Sequence, residues 1–391
     1  MLIDRDFTLE TLQSLVRIDS RNPGLQEGAP GEAALARFVS RRLEEMGWET
    51  ESQQLGEERC NVVARRRGTA DGPSLMLNVH LDTVGVEGMK DPFSGDLRGG
   101  RVWGRGAQDS KGGMAAVLGA AKAVSESGVE LKGDLVLAFV ADEEHESIGT
   151  ERLMEEVKTD AAIVLEPTDL DVCIAHRGFA LFKVGTRGRT AHGGQSDIGI
   201  DANMHMGLLL AELERLKHEW EREHRHPMLG SASLHVPLIS GGKQPFIYSG
   251  HCAAQVECRT VPGQTVDGVT AELRQTLEAL GKRVEGFQGS LELLQWRAPF
   301  QTDPERLIVQ TVWAEAEAVR GEAPRIIAHP WWEDSGLLAA AGIETVVIGP
   351  KGEGLHSESE WVDADSVVDL ARILHRSVLS YCGDSLCAPG R

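Results

Sequence analysis

The segment LVLAFVADEE, residues 135–144, places an apolar run directly before three consecutive carboxylates. Such a run predicts a buried strand, followed here by Asp142, Glu143 and Glu144. Carboxylates at the end of a buried strand are unfavourable unless a positive partner meets them. Metal coordination and general acid–base catalysis can both use the cluster, while a solvated acidic strand end is the simplest alternative.

Two further apolar strands end in side chains of the same kind. A strand predicted over residues 74–79 is followed by His80 and Asp82, and a strand over residues 161–165 is followed by Glu166. Alternate residues of a strand share a face, so Asp82 can accept a hydrogen bond from the His80 ring and orient it for a metal. Ligands bind at the carboxyl ends of strands in α/β sheets, which favours one shared site.

Glycine-rich loops carry two more side chains that can bind metals. Asp109 follows the irregular stretch 99–106 and precedes a small-residue helix, which it is also well placed to cap. His356 lies in the loop 349–356, directly after a strand predicted over residues 345–348. The stretch GRGAQDSKGG lacks the spacing of a phosphate-binding loop, so we exclude that function.

Together these positions offer two imidazoles and three carboxylates: His80, Asp109, Glu144, Glu166 and His356. Mixed nitrogen and oxygen ligands suit zinc, and also cobalt or manganese. Two divalent ions need about this many ligands if one carboxylate bridges them, as in dinuclear aminopeptidases. Glu143 is the remaining acid, and an adjacent carboxylate that binds no metal is the proton acceptor that a metal-activated water requires.

Composition restricts the possible partners and the location. A formal net charge of −20 argues against a nucleic-acid partner, and no apolar run is long enough to span a bilayer. The first residues show no basic region followed by an apolar core, so we predict no signal peptide. The six cysteines form no C-x-x-C pair, which argues against a thiolate zinc site and favours a reducing cytoplasm.

The length of 391 residues favours two domains over one or three. Between residues 179 and 296 the pattern is strand, helix, two strands, helix, strand, which is typical of a small ferredoxin-like α+β domain. The α/β pattern returns after this stretch. We therefore predict a catalytic metal-binding domain formed by residues 1–178 and 297–391, with residues 179–296 as an inserted domain.

The chain resembles the dinuclear-zinc amidohydrolase and peptidase family of acetylornithine deacetylase, succinyl-diaminopimelate desuccinylase, aminoacylase and glutamate carboxypeptidase. The motifs that carry the resemblance follow that family's order: LNVHLDTV, GRGAQDSKGGMAA, ADEEHESIGT, VLEPTD, RTAHGG, ECRTVPG and GPKGEGLHSESEW. They extend over nearly the whole chain. The resemblance implies a zinc-peptidase-like catalytic domain, with a mainly parallel central sheet flanked by helices, and an inserted lid that also forms a homodimer.

The resemblance also implies how the two ions are held. Asp109 would bridge them, His80 and Glu166 would complete one site, and Glu144 and His356 would complete the other. We expect zinc in both sites, with cobalt as the alternative.

Further roles follow from the same resemblance. Glu143 would be the general base, and Asp82 would support His80. Asn203 and His192 of the lid would reach toward the substrate carbonyl, with His192 delivered from the lid of the partner subunit. Arg259 would bind a carboxylate of the substrate, which a strongly acidic chain needs if that substrate is an anion.

The chain departs from the family where substrate is contacted. Gly-Gly-Gln follows His192, Gln-Pro-Phe-Ile occupies residues 244–247, and two tryptophans occupy residues 331 and 332. Relatives usually carry small hydroxyl residues and a proline, an Asn-Val-Val-Pro-like segment, and smaller residues at these places. These departures concern the substrate and leave the proposed chemistry intact.

We predict a cytoplasmic, metal-dependent hydrolase that cleaves the amide bond of an N-acyl amino acid through a metal-activated water. A dipeptidase or carboxypeptidase is the first alternative, because the same site can cut either bond. A non-catalytic, metal-binding oligomeric scaffold is the alternative of another class. Glu143 beside Glu144 argues against the scaffold, because a scaffold needs no base.

Overall fold

The computed structural model describes residues 3–383, and this part of the chain forms two compact units. The first unit contains the chain up to Ile174, Thr302–Ile327 and the chain from Glu333 onward. The second unit contains Ala175–Gln301 and Ala328–Trp332. The second unit therefore includes the stretch 179–296 that the sequence predicts as an insertion.

The helices are α1 (Arg5–Val16), α2 (Ala33–Glu45), α3 (Gly112–Ser127), α4 (Ile148–Glu156), α5 (Ala202–Glu223), α6 (Val266–Arg283), α7 (Leu307–Arg320), α8 (Ser335–Ala340) and α9 (Ala364–Cys382). The strands up to the start of the second unit are β1 (Glu49–Gly56), β2 (Arg59–Arg66), β3 (Leu75–His80), β4 (Asp96–Arg98), β5 (Arg101–Trp103), β6 (Leu135–Val140), β7 (Ala161–Val164) and β8 (Val172–His176). The later strands are β9 (Gly178–Arg187), β10 (Arg225–His226), β11 (Gly230–Ser231), β12 (Ser233–Gly241), β13 (His251–Thr260), β14 (Gln288–Arg297), β15 (Phe300–Gln301), β16 (Ile326–His329), β17 (Glu344–Val347), β18 (Gly352–Glu353) and β19 (Trp361–Asp363).

The centre of the first unit is a sheet with the strand order β1-β2-β6-β3-β7-β17. The four strands from β6 to β17 are parallel, and β1 and β2 continue the sheet antiparallel on one side. β3, β6 and β7 are buried along their whole length, as their apolar sequences predict. The predicted α/β fold with a mainly parallel sheet is confirmed.

The register of the parallel strands brings their carboxyl ends to one edge. His80 at the end of β3 pairs with Val140 at the end of β6, and Asn78 of β3 pairs with Val164 of β7. Glu166 comes two residues after Val164, and His80 comes two residues after Asn78. Glu166 therefore follows β7 at the position where His80 ends β3. The acidic segment after β6 and Glu166 after β7 therefore lie on either side of His80.

Close packing of α3 explains its small residues. α3 lies against α1 and α9 in the core of the first unit. A Cβ at Gly119 would lie 2.6 Å from Thr8 Oγ1 of α1, so a larger residue would force the helices apart.

A second, small sheet joins the two glycine-rich loops, which sequence periodicity did not predict. Its antiparallel strand order is β18-β19-β5-β4, and Trp361 of β19 pairs with Trp103 of β5. β5 leads into the Asp109 loop, and β18 and β19 flank the loop that carries His356. Strands of two or three residues are too short to give an alternating pattern.

The second unit is built around an antiparallel sheet with the strand order β12-β13-β9-β14. α5 and α6 pack on this sheet and share a hydrophobic core with it. The chain order β9, α5, β12, β13, α6, β14 is the order that the ferredoxin-like prediction requires, with the hairpin β10–β11 added. The function of this unit as a lid and a dimerisation domain stays a prediction.

The sequence predicted no thiolate zinc site and no membrane-spanning segment. Cys60, Cys252, Cys258 and Cys382 are free and buried, and Cys173 is buried as well. Cys387 lies outside the described residues, as do Met1 and Leu2. Within residues 3–383, no helix has the length and apolarity needed to cross a bilayer.

Candidate metal centre and active site

Asp109 occupies the middle of the candidate site in the first unit. Its Oδ1 lies 2.9 Å from His80 Nε2, and its Oδ2 lies 3.3 Å from His356 Nε2. The two oxygens of one carboxylate therefore face two different imidazoles. This is the arrangement that a carboxylate needs to bridge two ions.

Each imidazole also faces a second carboxylate. Glu166 Oε1 lies 3.7 Å from His80 Nε2, and Glu144 Oε2 lies 3.1 Å from His356 Nε2. The pairing of these side chains is the one that the family resemblance implies. Among the described residues, His80, Asp109 and Glu144 form one group with ligand atoms within 4.8 Å of one another. His80, Glu143 and Glu166 form another, so the donor set suits divalent ions of the zinc type.

The electrostatics of the site show an excess of negative charge. Burial raises the pKa of Glu166 well above its usual value, and the carboxylates of Asp109 and Glu143 raise it further. Hydrogen bonds to Asp109 and Glu144 raise the pKa of His356 to about 10. Burial alone would lower the pKa of His80, but Glu166 and Asp109 raise it well above the usual range. A bound divalent cation would compensate the same charge and displace the protons from the imidazoles.

Asp109 does not cap the helix that follows it. α3 begins at Gly112, and its N-cap residue Lys111 makes no side-chain cap hydrogen bond. The backbone of Asp109 is non-helical, with φ −120° and ψ 89°, within a short π turn over Ala107–Lys111. The carboxylate is directed at His80 and His356 instead, which removes the simplest alternative for this residue.

Asp82 lies beside His80, and its carboxylate makes hydrogen bonds with the turn after β6. His80 Nδ1 donates to the backbone carbonyl of Asp82 at 3.0 Å, whereas Asp82 Oδ1 lies 3.7 Å away from that nitrogen. β3 ends at His80, so the alternation that would place both side chains on one face no longer applies at Asp82. The Asp82 carboxylate accepts the backbone N–H groups of Glu143 and Glu144 instead, each at 3.1 Å. It therefore orients the turn that carries these two acids.

Behind this turn lies a buried polar network that sequence reasoning missed. Asn22 Nδ2 donates to Asp82 Oδ2 at 2.7 Å and to Asp142 Oδ1 at 2.9 Å. Arg59 Nη2 donates to the same oxygen of Asp142 at 2.7 Å and to Glu32 Oε1 at 2.6 Å. The network holds Asp142 at a positive φ of 72°, which turns the chain sharply after β6. The local sequence Asn22-Pro23-Gly24 is typical of a turn and does not indicate this contact.

Glu143 is half-buried beside the cluster, and another acid lies near it. Burial raises the pKa of Glu143 well above its usual value, and Asp334, Glu144 and Asp109 raise it further by their charge. Asp334 is buried and accepts a hydrogen bond from Thr150 Oγ1. Asp334 was not among the predicted site residues, although it follows the tryptophan pair that departs from the family pattern.

The remaining predicted residues belong to the second unit. His192 is exposed, and its loop is joined to the neighbouring one by a hydrogen bond of 2.7 Å from Gly193 N–H to the Phe246 carbonyl. Asn203 is exposed in the first turn of α5. Arg259 lies near the end of β13, with its Nε 2.5 Å from Glu257 Oε1. Their contact with a substrate stays a prediction.

Comparisons with known proteins test the family that the motifs suggested. The model of peptidase family M20/M25/M40 matches residues 76–380. The chain is 29% identical to acetylornithine deacetylase of Myxococcus xanthus, over 95% of this chain and 97% of that protein. It is 28% identical to N-formyl-4-amino-5-aminomethyl-2-methylpyrimidine deformylase of Bacillus subtilis, over 88% of each.

A solved structure shares the fold. The aminopeptidase PepT of Bacillus cereus superposes with a TM-score of 0.80 at 19% identity, over 96% of this chain and 98% of that one. The family model covers most of the sequence, from β3 to α9. The chain therefore belongs to peptidase family M20/M25/M40 and is a metal-dependent hydrolase, as its motifs predicted.

Proposed function

We propose that this hydrolase cleaves the amide bond of a small N-acyl compound, in the first instance an N-acyl amino acid. The observation that carries the proposal is Asp109, whose two oxygens face the imidazoles of His80 and His356 with Glu143 close by. The names of both similar relatives describe the removal of an acyl group, acetyl in one and formyl in the other.

The proposed cofactor is a pair of divalent ions, zinc or alternatively cobalt. Asp109 would be shared by the two ions, His80 and Glu166 would hold one of them, and Glu144 and His356 would hold the other. The distances between these side chains support this division, and so does the preference of zinc for mixed imidazole and carboxylate ligands.

When bound, such ions polarise the substrate carbonyl and lower the pKa of water. Glu143 accepts the proton of the attacking water and then delivers it to the leaving nitrogen. Asp82 holds the backbone of Glu143 and Glu144, which keeps the base beside the ligands.

The second unit supplies the groups that bind substrate in this proposal. The His192 ring donates an N–H to the oxyanion that develops on the carbonyl oxygen, and Asn203 assists it. Arg259 binds a substrate carboxylate. Two features support this role: the side chain is partly exposed, and Glu257 contacts its Nε, so the other N–H groups of the guanidinium can bind a carboxylate.

A homodimer formed by the second unit is part of the proposal. α5 exposes Met204 and Leu208, which are one helical turn apart, and β12 exposes Leu238 and Ile239 at the edge of its sheet. Exposed apolar side chains and an unpaired sheet edge are features of association surfaces. The free, buried thiols of Cys60, Cys252, Cys258 and Cys382 support the further proposal of a reducing, cytoplasmic location.

A substrate screen tests the function. Zinc- and cobalt-loaded protein is incubated with acetyl-, formyl- and succinyl-amino acids and with dipeptides, and amine release is measured against the Glu143→Ala variant as the blank. Hydrolysis of an acyl-amino acid is the expected result. Turnover of dipeptides alone would favour the peptidase alternative, and metal binding without any turnover would favour the scaffold.

A further inference from the structure

A buried ion pair lies beside the candidate metal centre and belongs to no predicted role. Arg105 is 3% exposed and Glu360 is 1% exposed, and Arg105 Nη1 lies 2.7 Å from Glu360 Oε2. Two buried charges are retained only when hydrogen bonds satisfy their remaining donors and acceptors. The partners of this pair therefore indicate what it does.

Glu360 holds the backbone of the loop that carries Asp109. Its Oε2 accepts the N–H of Gly106 at 3.0 Å. Its Oε1 accepts the N–H of Gln108 at 2.9 Å and that of Asp109 at 3.2 Å. One carboxylate thus fixes three backbone N–H groups of an irregular turn, whose backbone is non-helical at Asp109.

Arg105 also donates hydrogen bonds to the backbone of two other loops. Its Nη2 donates to the carbonyl of Ser357 at 2.8 Å, directly after His356. Its Nε donates to the carbonyl of Gly85 at 2.8 Å, shortly after the strand that ends at His80. The guanidinium therefore connects three segments: the loop that follows β3 and His80, the loop that carries Asp109, and the loop that carries His356.

We propose that Arg105 and Glu360 are positioning residues that set the separation of Asp109 and His356 and thereby the affinity of the centre for its ions. The inference rests on the proposed dinuclear site. Neither residue needs to touch metal or substrate. Partners that orient metal-binding side chains typically change metal affinity by about 10–100-fold when they are removed.

The two residues act on different ligands, which makes their effects separable. Glu360 bonds the backbone of Asp109, which serves both ions, so Glu360→Gln weakens both. The amide has one acceptor oxygen and adds an N–H₂ donor where a backbone N–H needs an acceptor. Arg105→Lys keeps a positive charge for Glu360 but cannot reach Gly85 and Ser357 together, so it weakens chiefly the ion that His356 holds.

Asp171 provides a matched control in the same unit. It is 2% exposed and accepts hydrogen bonds from Arg320 at 3.0 Å and from the backbone N–H of Arg325 at 2.9 Å. Asp171→Asn therefore removes a buried carboxylate with arginine and backbone partners, as Glu360→Gln does. Its partners carry none of the proposed ligands, so it should lower thermal stability and leave metal affinity unchanged.

The test uses the full chain and zinc alone. Wild-type, Glu360→Gln, Arg105→Lys and Asp171→Asn proteins are dialysed against buffered zinc concentrations, bound metal is measured by elemental analysis, and thermal unfolding of the metal-free proteins is recorded. We expect the dissociation constants to rise about 10–100-fold for both ions in Glu360→Gln and for one ion in Arg105→Lys.

The outcomes distinguish this inference from the proposed function. Wild-type zinc affinity in both Glu360→Gln and Arg105→Lys would overturn the inference. It would also be overturned if Asp171→Asn lost as much zinc affinity as Glu360→Gln while the two variants had the same thermal stability. A wild-type chain that fails to bind two zinc ions would overturn the proposed centre itself. If Glu360→Gln does not fold, Arg105→Lys alone decides, because the selective loss of one ion is not expected from a general loss of stability.

Discussion

The proposed active-site residues of the first unit are held by their neighbours, whereas those of the second unit are presented on its surface. His80, Asp82 and Glu166 are buried, and the acids after β6 are fixed through hydrogen bonds to their backbone. His356 is exposed, but its ring lies against the carboxylates of Asp109 and Glu144. His192 and Asn203 are exposed. Groups that must keep a fixed geometry for metal and proton transfer need a rigid support, while groups that meet a substrate must remain accessible.

The comparison leads to a general expectation for variants. Changes to the proposed active-site residues of the first unit should alter metal content or proton transfer, because these side chains contact one another. Changes in the second unit should leave metal content unaltered and act on turnover or on substrate binding. The following predictions test this division, from the largest expected effect to the smallest.

Glu143→Ala should lower kcat by about 10²–10⁴-fold, because it removes the proton acceptor. Metal content should stay at the wild-type level, since Glu143 is not a proposed ligand. Steady-state kinetics and elemental analysis of the same preparation measure both properties. Loss of metal in this variant would show that Glu143 is a ligand.

Glu144→Ala is the matched change on the neighbouring residue. It should release the ion that His356 helps to hold, and part of the activity should return when zinc or cobalt is added in excess. Metal content after dialysis and activity against added metal provide the measurement. An unchanged metal content together with lost activity would show that Glu144 is the base and would make Glu143 the candidate ligand.

His192→Ala should lower kcat by about 100–1,000-fold, the usual effect of removing one oxyanion donor, with unchanged metal content. If the partner subunit supplies this ring, mixing inactive His192→Ala chains with inactive Glu143→Ala chains should restore activity after subunit exchange. One site of each mixed dimer then contains both intact groups. Verified exchange without any activity would show that His192 acts within its own chain or has no catalytic role.

Arg259→Lys should raise KM roughly tenfold for substrates with a free carboxylate, because lysine cannot bind a carboxylate bidentately. Substrates whose carboxylate is amidated should be affected much less. KM values for the two substrate series test the difference. An equal rise in both series would indicate that Arg259 supports the fold through Glu257 and does not bind the carboxylate.

How much of the site the sequence predicts depends on how local the signal is. The strands before His80, Asp142 and Glu166 are short and mostly apolar runs, so their ends are visible without a structure. Parallel pairing then implies that these ends meet, as the register of β3 with β6 and β7 shows. The positions of Asp109 and His356 came from their residue types and from the family motifs, because their glycine-rich loops have no periodic pattern.

The supporting residues are not visible in the same way, because their contacts join distant parts of the chain. Glu360 meets the Asp109 loop from 251 residues away, and Asn22 meets Asp142 from 120 residues away. Asn22 lies in an ordinary turn sequence. Arg105 and Glu360 lie within family motifs, but nothing local shows which backbone groups they contact. At Asp82 the local rule placed the carboxylate near His80 but did not predict its contacts with the backbone of Glu143 and Glu144.

The most direct test of the account is the metal content of the wild-type chain and of Asp109→Asn. Protein purified without chelator and analysed for metals should contain close to two divalent ions per chain, as a carboxylate-bridged pair requires. Asp109→Asn should lose both ions on dialysis, because the amide keeps one oxygen and no negative charge. A wild-type chain that hydrolyses its substrate at full rate in excess chelator, without bound metal, would contradict the account.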